Sequence, residues 1–297
     1  MKLEQNSNFY LINKPRTWTS QDLCTKFKRI YKFDKVGHSG TLDPNATGLM
    51  LLATNKYTKL FDYIDNKDKT YVVKCLFGYK SETLDIDSEY TKIHEIKLQK
   101  RNDEFVKVLN SKIGESIQTP PKYSAIKVKG KRLYKYARKG EKVEIPKRKV
   151  NIKEIKILNI ENEVAELKVK VSEGTYIRSL VNDIAEILGT SAIVSELKRV
   201  AIGNLKIEHK HYIEDIEKLA NSELPHSVLA TEIINLPILE INKSELNNIK
   251  NGDLINKDKF SNEKIYIIKY KKEIVATYRP FNEQYFKPDK VLIWILI

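Results

Sequence analysis

Apolar residues recur at the spacing of an α-helix in three segments of the chain. The first covers residues 21–31 and follows Thr19, a favourable N-cap residue. The second covers residues 55–64, and the third covers residues 175–188, where Gly189 is placed to end the helix. The apolar positions that define these faces are Leu23, Phe27, Ile30, Tyr31, Tyr57, Leu60, Phe61, Ile64, Ile177, Leu180, Val181, Ile184 and Leu188.

Other segments have the pattern of β-strands. Residues 48–54 are almost continuously apolar, which predicts a buried strand, and residues 70–79 and 163–174 alternate between apolar and polar side chains. Beyond about residue 235 the chain changes to short β-rich runs, at residues 263–270, 272–279 and 290–297. The pattern therefore predicts a mixed α and β chain with a small second domain of β character.

Composition agrees with an ordinary globular protein. The 297 residues are 41% hydrophobic and 31% charged, and about two domains are expected for this length. No run of about eighteen apolar residues is present, which excludes a helical membrane span, and the first residues lack the apolar stretch of a signal peptide. Cys24 and Cys75 are too few for a disulfide framework or a zinc site, so we expect a cytoplasmic protein.

Positive charge is concentrated in residues 118–150, which we call the basic arm. It holds 9 Lys and 3 Arg against 2 Glu, a net of +10 out of the +14 of the whole chain. Tyr123, Tyr134 and Tyr136 lie between the cations, and the glycines and prolines predict an extended loop and hairpin. Cations neutralise phosphate and aromatic rings stack on bases, so the arm predicts contact with RNA or DNA. The alternative is a solvated, lysine-rich surface.

A glycine-rich loop, "GHSGTLDPNATG", leads into the predicted buried strand. Asp43 is its lone carboxylate, and Pro44 directly after it favours an extended or turn conformation. Such an aspartate could be held rigidly for chemistry, or it could only cap its own loop as an Asx-turn. His38 could likewise be functional or an ordinary loop histidine. Spacing alone leaves both alternatives open.

The stretch "GHSGTLDPNATGLMLL" resembles the signature loop of the bacterial tRNA pseudouridine synthases of the TruB type, which modify uridine 55 in the T-loop. Four further stretches resemble the same family and occur in the family's order along the chain. They are "FYLINKPRTWTSQD", "KTYVVKCLFG", "QTPPKYSAIKVKGKRLYKYARKG" and "GTYIRSLVNDIAEILGTSAIVSELKRVAIG". The resemblance extends from about residue 9 to residue 206. The C-terminal part is similar only in size and texture to the RNA-binding PUA domain of these enzymes.

This resemblance implies a catalytic site built on three residues. Asp43 matches the catalytic aspartate, and Arg178 matches the arginine that pairs with it. Tyr71 matches the tyrosine that stacks on the target base and is proposed to take its C5 proton. Tyr176 and Leu197 match residues that line the same pocket. An arginine orients a carboxylate through charge-assisted hydrogen bonds, which fits these roles.

The resemblance also implies RNA contacts. His38 matches the histidine that packs into the T-loop and helps to hold the target base out of its stack. Lys14 is assigned to substrate or RNA contact as well. The basic arm matches the loop that closes over the RNA, and its assigned contact residues are Lys127, Lys129, Lys131, Arg132 and Tyr134.

The implied fold is α+β, with a mixed, mainly antiparallel central sheet and flanking helices. A catalytic domain is expected over residues 1–234 and a PUA-like RNA-binding domain over residues 235–297. The reaction detaches uracil from ribose and rejoins it through C5, so the base must first be flipped out. We expect a monomer that acts on the T-arm of tRNA, with no metal or other cofactor, no membrane and no required protein partner. A covalent aspartate adduct and a glycal-like intermediate both stay open.

Three positions depart from the family pattern. Thr17 stands where a glycine is usual, which predicts a looser turn after "KP". Glu82 and Ser88 stand where an aspartate and a glycine are usual, although Asp85 and Asp87 are kept. The differences at Glu82 and Ser88 fall on a supporting loop and not on Asp43.

Two other functions remain open. A guide-RNA-dependent synthase that acts on ribosomal RNA with partner proteins would share the catalytic motifs, although the basic arm has the form found in the stand-alone bacterial enzymes. The second alternative is a tRNA-binding chaperone in which chemistry is secondary. The presence of Asp43, Tyr71 and Arg178 argues against a purely binding role.

Overall fold

The computed structural model describes residues 7–209, 212–213, 216, 224–262 and 264–293. Within them the strands, in chain order, are β1 (Phe9–Lys14), β2 (Val36–His38), β3 (Thr47–Thr54), β4 (Lys69–Phe77), β5 (Tyr79–Ser81), β6 (Tyr90–Lys92), β7 (Gly114–Gln118), β8 (Lys127–Val128), β9 (Lys131–Arg132), β10 (Arg148–Glu161), β11 (Val164–Val171), β12 (Ala192–Ile202), β13 (Leu205–Lys206), β14 (Tyr212–Ile213), β15 (Ile238–Glu240), β16 (Ile255–Asn256), β17 (Tyr266–Tyr270), β18 (Glu273–Pro280) and β19 (Tyr285–Val291). The α-helices are α1 (Ser20–Tyr31), α2 (Asn102–Ser111), α3 (Leu133–Ala137), α4 (Ile177–Ile187) and α5 (Lys243–Asn251).

The central sheet has 10 strands within the described residues, in the order β14-β1-β3-β12-β4-β11-β10-β7, with β2 beside β3 and β13 beside β12. Among the described strands of this central sheet, only the pairs β1–β14 and β3–β12 are parallel. The predicted α+β class with a mainly antiparallel sheet is therefore confirmed. Apolar side chains of β4 and β11 alternate onto one face, where residues of α1, α2 and α4 join them in one core cluster.

The first and third predicted helices form where the apolar spacing places them. At the start of α1 the Thr19 side chain accepts a hydrogen bond from the Asp22 N–H, and the Asp22 carboxylate accepts one from the Thr19 N–H. After α4 the left-handed Gly189, with φ of 68°, turns the chain away from the helix axis. No helix of the described residues combines the length and the apolar character needed to cross a membrane.

The predicted helix over residues 55–64 is a 3₁₀-helix, Asn55–Tyr63, and not an α-helix. Its three-residue period aligns Tyr57, Leu60 and Tyr63 along one line against a second core cluster. That cluster also contains apolar residues of β1, β3, β17 and β18. The 3₁₀-helix therefore packs between the central sheet and the C-terminal strands.

A second sheet of 5 strands within the described residues has the order β15-β17-β18-β19-β16. It encloses its own core cluster with α5, and the predicted β-rich C-terminal domain is confirmed. The β-rich run predicted over residues 290–297 overlaps a strand only at residues 290–291, because β19 covers Tyr285–Val291. β19 pairs with β18 from the residue pair Pro280 and Phe286 to the residue pair Ala276 and Val291. Residues 294–297 of that prediction lie outside the described residues.

Candidate active site

The loop between β2 and β3, residues 39–46, carries Asp43 and is called the catalytic loop below. The Ser20 hydroxyl, at the start of α1, donates to the Leu42 carbonyl at 3.2 Å and accepts from the Leu42 N–H at 2.9 Å. The Ala46 N–H donates to the Asp43 carbonyl at 3.1 Å. Asp43 is thus presented by a hydrogen-bonded turn between α1 and a buried strand, with its side chain 36% exposed.

Arg178, on the first turn of α4, joins three loops at the centre of the site. Its Nη2 lies 2.9 Å from Asp43 Oδ2, and its Nη1 lies 3.2 Å from Asp85 Oδ2. Nη1 also donates to the Thr83 carbonyl at 2.8 Å, and Nη2 donates to the Tyr123 carbonyl at 3.0 Å. The side chain is only 5% exposed, so these charge-assisted bonds are weakly screened by solvent. The expected pairing of Asp43 with Arg178 is present.

Asp85 is a member of the site that the sequence pattern did not identify. It is buried, it accepts hydrogen bonds from the Thr83 hydroxyl and the Asp87 N–H, and it shares the guanidinium with Asp43. Burial raises the pKa of Asp85, while the Thr83 hydrogen bond and the arginine charge oppose that shift. The sequence signal was weak: the tripeptide Thr-Leu-Asp occurs at residues 83–85 as it does at residues 41–43, but nothing in its spacing connects it to Arg178.

The three positions that depart from the family pattern are accommodated locally. Ser88 Oγ lies 2.9 Å from Thr83 Oγ1, so it helps to hold the loop of Asp85. Burial and a hydrogen bond to Glu82 raise the pKa of Tyr123, which places Glu82 against the basic arm. Thr17 adopts a left-handed φ of 69°, so a tight turn is kept there at the cost of backbone strain.

Lys14 is fully buried beside the catalytic loop. Its ammonium donates to the carbonyl oxygens of Pro15 at 2.9 Å, Trp18 at 2.7 Å and Pro44 at 2.8 Å. All three protons are therefore used by the main chain, and one of the acceptors directly follows Asp43. This geometry makes Lys14 a residue that positions the catalytic loop, and its contact with RNA stays a prediction.

Lys14 gives a testable dependence of stability on pH. Burial lowers its pKa to about 8 from an ordinary 10.5, against the opposing charge of Asp43. Between these values the unfolded chain binds more protons than the native chain, so this residue makes the free energy of unfolding rise with pH. We expect a gain of about 3 kcal/mol across that window relative to Lys14→Met, measured by denaturant unfolding. Parallel curves for the two proteins would show that Lys14 stays protonated in the native state.

Tyr71 and Leu197 lie on neighbouring strands of the central sheet. Tyr71 on β4 is opposite Arg199 on β12, and Val73 is opposite Leu197 in the same register. Side chains of directly opposed residues project from the same face of a sheet. Tyr71 is buried in the core cluster on that face, and Leu197 is half-buried against it. The two residues therefore share one surface, and their contact with a base stays a prediction.

Tyr176 directly precedes α4 and lies near the pair of aspartate and arginine. Its N–H donates to Gln118 Oε1 at 2.8 Å, and Gln118 Nε2 donates to its carbonyl at 3.1 Å. Burial raises the pKa of Tyr176, and the charges of Asp43 and Arg178 act on it in opposite directions. The structure thus brings Asp43, Arg178 and Tyr176 into one site.

His38 ends β2 immediately before the catalytic loop, and its Nδ1 accepts the Gly40 N–H at 3.3 Å. Burial lowers the pKa of His38, and the charge of Arg199 lowers it further, so the imidazole is neutral near pH 7 with Nε2 as its donor. Arg199 is itself buried and donates to the Leu49 carbonyl at 2.7 Å and the Gly40 carbonyl at 3.3 Å. The sequence pattern gave Arg199 no role, since an arginine on a strand usually points to solvent.

The basic arm leaves the central sheet at Gln118 and returns to it at Arg148. The predicted hairpin is present as β8 and β9, joined by Lys129 and Gly130 with φ of 48° and 78°, the combination of a type I′ turn. Lys127, Lys129 and Arg132 are exposed on this hairpin. An exposed, hydrogen-bonded hairpin is suited to present cations to a phosphate backbone.

Two of the assigned arm residues are already engaged within the arm. Lys131 pairs with Glu141 at 2.5 Å and lies over the Tyr136 ring at 4.2 Å. Arg138 lies over the Tyr134 ring at 5.5 Å. Lys131 and Tyr134 therefore stabilise the arm in this structure, and their RNA contacts stay predictions.

Comparison with known proteins gives consistent matches. The model of the TruB family pseudouridylate synthase N-terminal domain matches residues 28–177, and that of the tRNA pseudouridylate synthase B C-terminal domain matches residues 178–234. The tRNA pseudouridine synthase B of Mycoplasma mobile is 39% identical over 272 residues, which cover 90% of this chain and 88% of that protein. The protein of the same name from Pediococcus pentosaceus is 33% identical over 293 residues, which cover 95% of this chain and 97% of that protein.

A solved structure, the archaeal box H/ACA sRNP Nop10-Cbf5 complex, contains a chain with a TM-score of 0.68 to this one at 20% identity, covering 96% of this chain and 86% of that chain. At this identity the likeness shows the fold. The family models and the curated relatives, on the other hand, show a pseudouridine synthase, an enzyme that isomerises uridine in RNA. The chain belongs to the TruB family of pseudouridylate synthases.

Proposed function

We propose that the chain converts uridine 55 in the T-loop of tRNA to pseudouridine as a stand-alone enzyme. The observation that carries this proposal is the partly exposed Asp43 carboxylate, held 2.9 Å from the buried Arg178 guanidinium inside the family's signature loop. Family membership supports the reaction, and the names of the relatives support tRNA as the substrate.

The pairing with Arg178 leaves one oxygen of Asp43 for chemistry. Arg178 Nη2 contacts Oδ2, whereas Oδ1 has no hydrogen-bond donor among the described residues. This oxygen can attack C1′ of the ribose or take a proton from C2′, and the two choices correspond to a covalent adduct and a glycal-like intermediate. Arg178 is buried and donates to the Thr83 and Tyr123 carbonyls, so its positive charge is held beside the carboxylate with little solvent screening.

The target uracil must leave its stack before Asp43 can reach the glycosidic bond. In the proposed complex Tyr71 stacks on the flipped uracil and takes the C5 proton, while Tyr176 and Leu197 form the walls of its pocket. The neutral His38, beside the catalytic loop, packs into the T-loop in the place that the base vacates. These roles are carried over from the family and are supported by the shared location of the residues around the loop.

A T-arm hairpin tests the proposed substrate. A hairpin of about 17 nucleotides, with a preformed loop, should be modified nearly as well as full tRNA, because most of the ordering cost is already met. The measurement is pseudouridine formed by the purified chain with no other RNA or protein present. Turnover only after addition of a guide RNA would favour the guide-dependent alternative. Tight binding with no turnover on either substrate would favour the chaperone.

Removing charge from the hairpin of the basic arm should weaken RNA binding and flatten its salt dependence. We call the combination Lys127→Gln, Lys129→Asn and Arg132→Gln the arm-charge variant; asparagine tolerates the left-handed conformation at residue 129. Each lost phosphate contact should reduce the slope of log K against log salt by roughly 0.7 to 0.9.

The matched control removes three exposed cations on and near α2, as Lys97→Gln, Lys100→Gln and Lys107→Gln, so the net charge changes equally. The control should keep the wild-type slope in a filter-binding titration. Equal slopes for the control and the arm-charge variant would show that the arm is a solvated surface and does not contact the RNA phosphates.

We also propose that residues 1–234 form the catalytic domain and that residues 235–297 form a PUA-like domain that contacts the acceptor end of tRNA. Ile267, Ile274 and Leu292 share a core cluster with residues of β1 and β3. Truncation would therefore expose apolar surface of the catalytic domain. Exposed cations such as Lys264 and Lys272 are better positions at which to test the RNA contact of this domain.

A further inference from the structure

The basic arm has a buried root and an exposed tip. We define the root as residues 118–126 and the tip as residues 127–147. Gln118, Ser124 and Ile126 of the root are buried, whereas most cations of the tip are exposed. The root therefore belongs to the packed body of the enzyme, although it is continuous with the segment that is proposed to grip RNA.

Four hydrogen bonds fasten this root to the start of α4. Gln118 makes two of them with the main chain of Tyr176, at 2.8 and 3.1 Å. The Ser179 hydroxyl donates to the Thr119 carbonyl at 2.8 Å. Arg178 Nη2 donates to the Tyr123 carbonyl at 3.0 Å. The bonds engage Tyr176, Arg178 and Ser179, so a shift of the root is transmitted to the guanidinium.

The tip is in turn fastened to the root. The Leu133 N–H donates to the Ile126 carbonyl at 2.8 Å, and the Tyr134 N–H donates to the Ser124 carbonyl at 3.1 Å. Leu133 is buried, so α3 is anchored by packing as well as by hydrogen bonds. A force applied to the tip by RNA therefore reaches the root through a short, bonded path.

Arg178 Nη2 connects this path to the chemistry. The same nitrogen donates to the Tyr123 carbonyl and lies 2.9 Å from Asp43 Oδ2, so one planar group links the arm root to the carboxylate. A rotation of the guanidinium that lengthens one contact also displaces the other. Displacements of about 1 Å at a reacting group can cost on the order of a hundredfold in rate.

We infer that the root of the basic arm is a coupling element, in which Gln118 and Ser179 are positioning residues that let RNA bound at the tip fix the orientation of Asp43 through Arg178. This inference rests on the proposed reaction at uridine 55. The cations of the arm then contribute to the reaction rate of the bound complex as well as to the affinity for RNA.

The first test compares Gln118→Met and Ser179→Ala with wild type on the T-arm hairpin. We expect the single-turnover rate at saturating RNA to fall about tenfold or more, while the dissociation constant changes less than about twofold, because the tip cations are intact. Ser179→Thr keeps the hydroxyl and should restore the rate. Weaker binding with an unchanged saturating rate would overturn the inference.

The second test asks whether tip and root act on one path. The arm-charge variant should lower the saturating single-turnover rate in the wild-type background but cause little further loss in the Gln118→Met background. Additive losses would overturn the coupling and leave two independent contributions. Absence of hairpin turnover by the wild-type chain would instead overturn the proposed function and this inference with it, so the two failures are distinguishable.

Discussion

Replacing Asp43 with asparagine is expected to abolish turnover while the fold and RNA binding are kept. The amide oxygen can still accept from Arg178 Nη2, which lies 2.9 Å from the native carboxylate, so the geometry of the site is preserved. The amide cannot act as a nucleophile or a base at C1′ or C2′, and both open mechanisms need one of these. The loss should be at least about 10³-fold in the single-turnover rate.

The measurement is pseudouridine formation on the T-arm hairpin, together with the dissociation constant for the same RNA. Asp103→Asn makes the same chemical change at an exposed position on the first turn of α2, and it should leave both quantities unchanged. A rate for Asp43→Asn within about tenfold of wild type would exclude Asp43 as the catalytic group.

Replacing Arg178 with lysine should lower the single-turnover rate by about a hundredfold or more, although the charge is conserved. The planar guanidinium reaches Asp43, Asp85, the Thr83 carbonyl and the Tyr123 carbonyl at once. A lysine ammonium is a single donor atom on a flexible stem and cannot hold two carboxylates and two carbonyls in that arrangement. Because Asp85 is buried, we also expect the free energy of unfolding to fall by about 1–3 kcal/mol.

The matched control is Arg101→Lys. Arg101 makes a two-point contact with Glu104, at 2.7 and 2.8 Å, and donates to the Leu188 carbonyl at 2.9 Å, but it is partly exposed and far along the chain from the catalytic loop. Its replacement should change the unfolding free energy by less than about 1 kcal/mol and the rate not at all. If Arg178→Lys kept the wild-type rate, charge alone would suffice and the geometry of the guanidinium would be irrelevant to catalysis.

Elements with strong local signals were predicted from the sequence. α1 has both a capping box at Thr19 and an apolar face, and β4 alternates without a break, so each element is specified by near neighbours. The prediction was less accurate at the 3₁₀-helix and at β19. The 3₁₀-helix depends on packing against a core cluster formed by distant segments, and the position of β19 depends on pairing with β18. Neither contact produces a periodic pattern in the local sequence.

The residues of the candidate site were only partly predicted from the sequence. Asp43, Arg178 and Tyr176 were predicted through their motifs, and the structure brings them together. Asp85 was missed as a partner because a second Thr-Leu-Asp carries no spacing rule that connects it to Arg178. Lys14 was assigned to substrate or RNA contact, whereas its complete burial and its three carbonyl acceptors depend on tertiary folding.

The sequence by itself determined the mixed α and β character, the apolar faces of α1 and α4 and the concentration of charge in the basic arm. These are properties of residues close together in the chain, where period, capping and composition act directly. Only the tertiary structure decided which side chains share Arg178, which cations are buried and how the arm root meets α4. Those outcomes depend on distances between segments far apart in sequence, and on whether each charge finds a partner once water is excluded.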